Sequence, residues 1–383
     1  FLFVPNDVYS DLTLTWRQSQ AANPYINNGT GVSAVYFPFV YSVLKVPKGM
    51  SRETVILGYV ALTLVATVGV WLLWLRKQWR HWSGDSRRPV VVMLSLWICV
   101  CNYPLLIALD RGNTDPITMA LAFLACELAL ARRSALGALS LALGAASKAF
   151  PLAAILVLLR RRQYLSVLLA SGALIALVLG PLALLPGPFK ASFQALLDSL
   201  AAFRRSYVLG SDSCHYSSDW LNAWRALALY KSWNSRIAEI LPWYERGMLV
   251  WAGVLATLSL FVLRDWWREL LAIGVIIVVF PNVTNDYKLV FLLPGILHWL
   301  SSNASGWRNQ VFLASSALLL LPKHFWFLIP GHGTSISCLI NPVLVTAMSV
   351  VLWPTPYERI LASERLRGLW PRVFGRKPLT VRG

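Results

Sequence analysis

Apolar runs alternate with short polar or basic segments along almost the whole chain. A helix of about 20 apolar residues crosses a hydrocarbon core, and the pattern predicts spans near 54–75, 89–109, 116–131, 164–185, 247–263, 270–280, 289–300, 311–321 (reaching toward 329) and 336–352. The run 135–159 differs. Lys148 and Pro151 interrupt it, and basic clusters stand at both ends, Arg132-Arg133 and Arg160-Arg161-Arg162. A single crossing would leave those clusters on opposite faces, against the usual bias of Lys and Arg to one side. Two half-length helices meeting near Lys148 satisfy it. The longest polar stretch, 186–245, predicts an external loop with two amphipathic helices around a turn at Gly210 to His215.

Together these elements predict an all-α polytopic membrane protein of about ten spans, with a membrane domain over 1–358 and a basic tail over 359–383. Composition agrees: 57% of residues are hydrophobic, 14% are charged, and mean hydropathy is +0.57. A membrane barrel would instead show short alternating segments. The net charge of +18 would suggest nucleic acid in a soluble protein, but its distribution argues otherwise. Segments 76–88, 132–133, 160–162, 264–269, 301–309 and the tail carry more than half of the 35 lysines and arginines and few acids, so they are assigned to the cytoplasm. The opening segment, 110–115, Lys148, the long loop, 282–288 and 323–332 then face outward. Phe1 to Pro5 reads as the end of an upstream segment, with one earlier membrane helix expected.

Charges at membrane depth cost at least a few kcal/mol and usually serve a polar cavity or ligand. Asp110, Arg111, Asp115 and Lys148 are such charges. Within Asp110-Arg111-Gly112-Asn113-Thr114-Asp115-Pro116, a helix junction accounts for Gly112, Asp115 and Pro116. It leaves Arg111 unexplained, and a guanidinium suits bidentate phosphate binding. Lys148 either snorkels to the interface or holds an anionic head group. Asn282 to Lys288 joins two apolar runs and offers Asp286, Tyr287 and Lys288, where the Tyr287 ring could stack on a sugar. Asp11 could serve as a general base or merely as a helix cap. Asp7, Arg204, Arg205, His215 and His324 are weaker candidates, since most loop charges are simply solvated. The histidines and five cysteines show no metal spacing, and no phosphate-binding Gly-Lys-Ser loop or dinucleotide fingerprint occurs. Neither a metal nor another cofactor is expected.

Several of these segments resemble glycosyltransferase family 87, membrane enzymes of the GT-C superfamily typified by polyprenyl-phosphate-mannose-dependent mannosyltransferases. The likeness rests on Ser10-Asp11, Asn23-Pro24-Tyr25, Tyr36-Phe37-Pro38, Arg111 to Asp115, Lys148-Ala149-Phe150-Pro151 and Asp286-Tyr287-Lys288-Leu289. It implies a GT-C-like bundle with an extracytoplasmic active site in a bacterial plasma membrane. The implied reaction moves a hexose, mannose in the type enzymes, from a polyprenyl-phosphate donor to a glycan or glycolipid. By the same likeness Asp11 is the base, Arg111, Lys148 and Lys288 hold the donor phosphate, and Asn113, Asp115, Asp286 and Tyr287 contact substrate. Two other readings compete: a transporter or flippase for lipid-linked glycans, which would also use broken helices and cations at membrane depth, and an O-antigen polymerase or ligase.

Overall fold

The computed structural model describes residues 8–26, 28–45, 50–79, 88–209, 217–230, 237–279, 284–302, 304–323, 334–355 and 358. The chain is all-α, and its described residues include an isolated antiparallel bridge between Ser217 and Asn285. In chain order the helices are α1 (Ser10–Ser19), α2 (Pro38–Lys45), α3 (Arg52–Trp79), α4 (Arg88–Val100), α5 (Tyr103–Arg111), α6 (Asp115–Leu130), α7 (Ser134–Ser147) and α8 (Ile155–Arg160). They continue with α9 (Tyr164–Ala183), α10 (Phe189–Phe203), α11 (Trp220–Tyr230), α12 (Ile237–Thr257), α13 (Trp266–Val279), α14 (Leu293–Leu300), α15 (Trp307–Leu320) and α16 (Ser337–Met348).

Among the described residues, four helical stretches are long and apolar enough to cross a membrane by length and composition, namely α3, α4–α5 (Arg88–Arg111), α9 and α12 with its π-wound extension (Ile237–Val262). The other apolar runs fold as shorter helices, and three of them include 3-10 turns, at Phe150–Ala154, Asp286–Leu292 and Ser349–Leu352. Hydropathy registers how apolar a run is, not where it breaks. The break at Lys148 is one that polar residues do reveal: α7 stops there, Lys148 adopts φ −152° and ψ 137°, and the chain restarts through Phe150–Ala154 into α8. Asn102 makes another. Its Oδ1 accepts from the Leu105 amide at 2.9 Å and caps α5, with Pro104 in the first turn. The run expected at 247–263 begins instead at Ile237, so the long loop ends inside a helix.

The centre of the bundle is built from α6, α7, α13, α14 and the turn Asp286–Leu292. Almost every side chain of α13 is buried. Close approach is needed there: a Cβ on Gly274 would lie 2.5 Å from the Phe291 carbonyl, and one on Gly295 would lie 2.9 Å from Leu271 Cα. Apolar side chains on α3, α9 and α12 (Leu57, Val65, Leu165, Leu168, Leu249, Val250) point outward instead. In a bilayer this carries no penalty, because lipid tails are as apolar as leucine.

Polar side chains collect at the two ends of this bundle. Tyr59 on α3 and Asp115 on α6 belong to one group, while Lys77 and Glu127 on the same two helices belong to the other. Lys77 Nζ lies 3.2 Å from Glu127 Oε2, which shares its carboxylate with Trp266 Nε1. At 1.5 Å per residue the groups stand about 18 Å apart along α6 and about 27 Å apart along α3. The segments assigned outward and those assigned to the cytoplasm thus meet at separate ends.

Candidate active site

The site is assembled by docking α1 onto the α5–α6 junction. α5 ends in a left-handed residue, Gly112 at φ 70°, and the Asn113 amide reaches back to Ala108 O. Glycine is required twice over. Positive φ disfavours a side chain, and a Cβ would lie 2.5 Å from Leu12 Cβ and 3.3 Å from Tyr9 Cα. The Tyr9 amide can thus donate to Asp110 O, which sets Asp11, in the first turn of α1, against the junction.

One carboxylate then meets two donors. Arg111 Nη2 lies 3.1 Å from Asp11 Oδ1, and Asn113 Nδ2 lies 3.0 Å from Oδ2. The buried Asn113 extends the chain of contacts, since its Oδ1 accepts from Lys148 Nζ at 2.6 Å and from the Asp115 amide at 3.1 Å. Lys148 Nζ also lies 2.6 Å from Asp115 Oδ1, whose side chain is 0% exposed. An ammonium carries three N–H groups, and these two partners use two. Tyr59 fixes the turn from α3, donating to Asn113 O at 2.7 Å and Ala108 O at 3.0 Å.

Aromatic rings line the same place. Lys148 Nζ stands 5.5 Å from the Tyr36 ring centre and 5.4 Å from that of Tyr287, within cation–π range. Burial, then the negative charges of Asp11 and Asp115, pushes the Tyr36 hydroxyl well above its ordinary value. Burial and Asp11 do the same for Tyr287. Both phenols stay protonated. Lys288 Nζ sits 3.9 Å from the Phe150 ring centre. Burial lowers this ammonium to about 7, against the opposing pull of Asp115.

Beside it lies a closed polar set that sequence reasoning largely missed. Asp286 accepts from Tyr103 Oη at 2.6 Å, Ser218 Oγ at 2.6 Å and Asn341 Nδ2 at 2.9 Å. Asp219, raised above its ordinary value by burial, accepts from Ser217 and from Asn222 Nδ2 at 2.8 Å, and the Thr284 amide reaches it at 3.2 Å. The external loop is thereby sewn to the turn that carries Tyr287 and Lys288. The available signal was Asn341, an amide within the apolar run 336–352, where a polar group needs partners. Tyr59 and Tyr103 gave a weaker one, as hydroxyls in apolar helices.

Among the candidate residues, the structure gathers Asp11, Arg111, Asn113, Asp115, Lys148 and Tyr287 around one locus. Lys288 adjoins it, and Asp286 is enclosed behind it. Arg204 instead pairs with Glu245 at 2.8 Å in the long loop, and Arg205 is exposed. Asp7, His215 and His324 lie outside the described residues, as does 359–383. Among the described residues no His, Cys, Asp and Glu grouping could hold a metal ion.

A comparison with protein families matches the model of glycosyltransferase family 87 over residues 34–284. The matched segment contains Arg111, Asn113, Asp115 and Lys148, begins after Asp11, and ends just before Asp286. No curated protein matches the chain. With two thirds of its length matched, and an all-helical membrane architecture around a polar locus, the chain belongs to glycosyltransferase family 87.

Proposed function

We propose that this glycosyltransferase moves a hexose from a polyprenyl-phosphate donor to a hydroxyl of a glycan or glycolipid, at the extracytoplasmic face of a bacterial plasma membrane. One observation carries the reading: the alternating chain Asp11, Arg111 and Asn113, Lys148, Asp115, which joins the opening segment to both half-helix junctions. A carboxylate able to take a proton thus lies within a few bonds of cations able to hold a phosphate.

In this mechanism the acceptor oxygen attacks the anomeric carbon from the side opposite the phosphate, and Asp11 takes its proton. The glycosidic C–O bond breaks with its electron pair left on the departing polyprenyl phosphate, and the sugar inverts. Arg111, Lys148 and Lys288 offset the charge that grows on that oxygen, a preorganised electrostatic stabilisation of the kind that often contributes most to catalysis. Tyr287 offers a ring face to the sugar, while Asn113, Asp115 and Asp286 hold the contacting groups in place. Mannose, as in the type enzymes, is the first sugar to try. The arginine-rich turns at the other end of the bundle support the outward orientation.

The experiment is turnover. Purified protein given polyprenyl-phosphate hexose and glycan or glycolipid acceptors releases polyprenyl phosphate on this account. Movement of intact glycolipid across a vesicle membrane, with no release, would favour a transporter and overturn it.

A further inference from the structure

Three helices end in the same hydrogen-bonded turn, and the residue placed in its left-handed position differs between the two ends of the molecule. At the candidate site it is Gly112. At the far end it is arginine, twice. After α6, Arg132 takes φ 56°, its amide bonding Ala129 O at 3.2 Å and the Arg133 amide bonding Leu128 O at 2.9 Å. After α8, Arg162 takes φ 56°, its amide bonding Leu159 O at 3.0 Å and the Gln163 amide bonding Leu158 O at 2.9 Å. This position is usually glycine, because a side chain there is strained. Among the described residues only Tyr9, Arg132 and Arg162 are non-glycine residues with positive φ. Helix termination does not need arginine at either place.

The two turns are also fastened together. Gln163 Nε2 donates to Ala129 O at 2.7 Å, joining the α8–α9 turn to the end of α6. Arg132, Arg133, Arg161 and Arg162 are all exposed on this joined tip. Arg161 is steered as well, lying 3.6 Å from the buried Glu269 carboxylate and 5.7 Å from the Trp266 ring centre. The helices leaving the tip carry exposed aliphatic side chains, Leu136 and Leu139 on α7 and Leu165 and Leu168 on α9. A cluster of guanidinium groups thus borders surface suited to acyl chains.

The geometry points to an anionic glycerophospholipid site at this tip, on the membrane face opposite the Asp11–Lys148 locus. The arginines hold the headgroup phosphate through paired N–H groups, and the leucine faces of α7 and α9 accept its chains. Charge, adjoining apolar surface and the strain accepted at two arginines select this occupant. The inference does not depend on the transferase chemistry.

The test uses the full chain in phosphatidylcholine nanodiscs containing a minor fraction of phosphatidylglycerol, with spin-labelled analogues of each lipid reporting immobilisation at the protein. Wild type should enrich phosphatidylglycerol over phosphatidylcholine. R132G/R162G should lower that preference about fivefold for each charge removed, while melting at a higher temperature in discs of phosphatidylcholine alone because the strain is relieved. R132K/R162K should retain much of the preference. Equal immobilisation of both lipids by wild type would overturn the proposal, and so would a preference that survives R132G/R162G unchanged. A loss of preference in R132G/R162G accompanied by a lower melting temperature in discs of phosphatidylcholine alone would also count against it, since the arginines would then be serving the fold.

Discussion

Removing the Lys148 ammonium should destabilise the protein far more than removing Lys148 and its partner together. In Lys148→Met the Asp115 carboxylate, fully buried, loses the ammonium 2.6 Å away. Its other oxygen, Oδ2, is also buried and accepts no hydrogen bond among the described residues. A buried ion left without its partner typically costs about 3–5 kcal/mol. The lost bond to Asn113 Oδ1 adds about 1 kcal/mol. Lys148→Met/Asp115→Leu takes away the ion pair as a whole, and apolar replacement of such a pair is often neutral or better. Unfolding by SDS in mixed micelles, followed by the fluorescence of the 18 tryptophans, can report the cycle if all four proteins show the same transition. With the double variant near wild type, the expected coupling is at least the cost of Lys148→Met alone, about 4 kcal/mol. A Lys148→Met protein as stable as wild type, or a double variant as unstable as the sum of the singles, would refute the pairing as a buried, desolvated contact.

Gly112→Ala should lower stability by about 1–2 kcal/mol from its left-handed backbone alone, and further through the clash with Leu12. Because it loosens α1 from the α5–α6 junction, turnover should fall more than helix content measured by circular dichroism; full activity would contradict the docking argument. For pH, Lys288 is held near 7 by burial, so its charge is present below that value and lost above it. Donor affinity should therefore fall as pH rises from 6 to 8, and Lys288→Arg should flatten the profile, both read from donor KM. An unchanged slope in Lys288→Arg would remove this lysine from the phosphate site.

What could be read from the chain alone depended on how local the cause was. Lys148 and Pro151 announce a broken helix because a cation and a residue without an amide hydrogen interrupt an apolar run. Asp110 to Asp115 announces a junction through its glycine, asparagine and proline. That Lys148 is bonded to Asp115 and Asn113 was not legible, since each looked equally suited to a ligand and nothing local states which charges meet. The docking of Asp11 was hidden for a related reason. It depends on the missing side chain of Gly112, which the sequence shows as turn chemistry and not as a contact with Leu12. Ser218 and Asp219 sat in a loop of ordinary polarity, and their role appears only where the chain returns at Thr284 and Asp286. Helix lengths were less legible than the apolar runs, because apolar content sets burial while caps such as Asn102 and turns such as Phe150–Ala154 set length.

The central claim, that Asp11 moves the proton while the cations around Lys148 hold the donor, is tested most directly by one pair of numbers from Asp11→Asn. These are the turnover of polyprenyl-phosphate hexose and the affinity for that donor under identical conditions. Replacing the carboxylate by an amide of the same shape should cut turnover by about 10²–10⁴-fold and leave donor affinity within a few fold of wild type. Turnover at the wild-type rate, or a loss accounted for entirely by weaker donor binding, would contradict it.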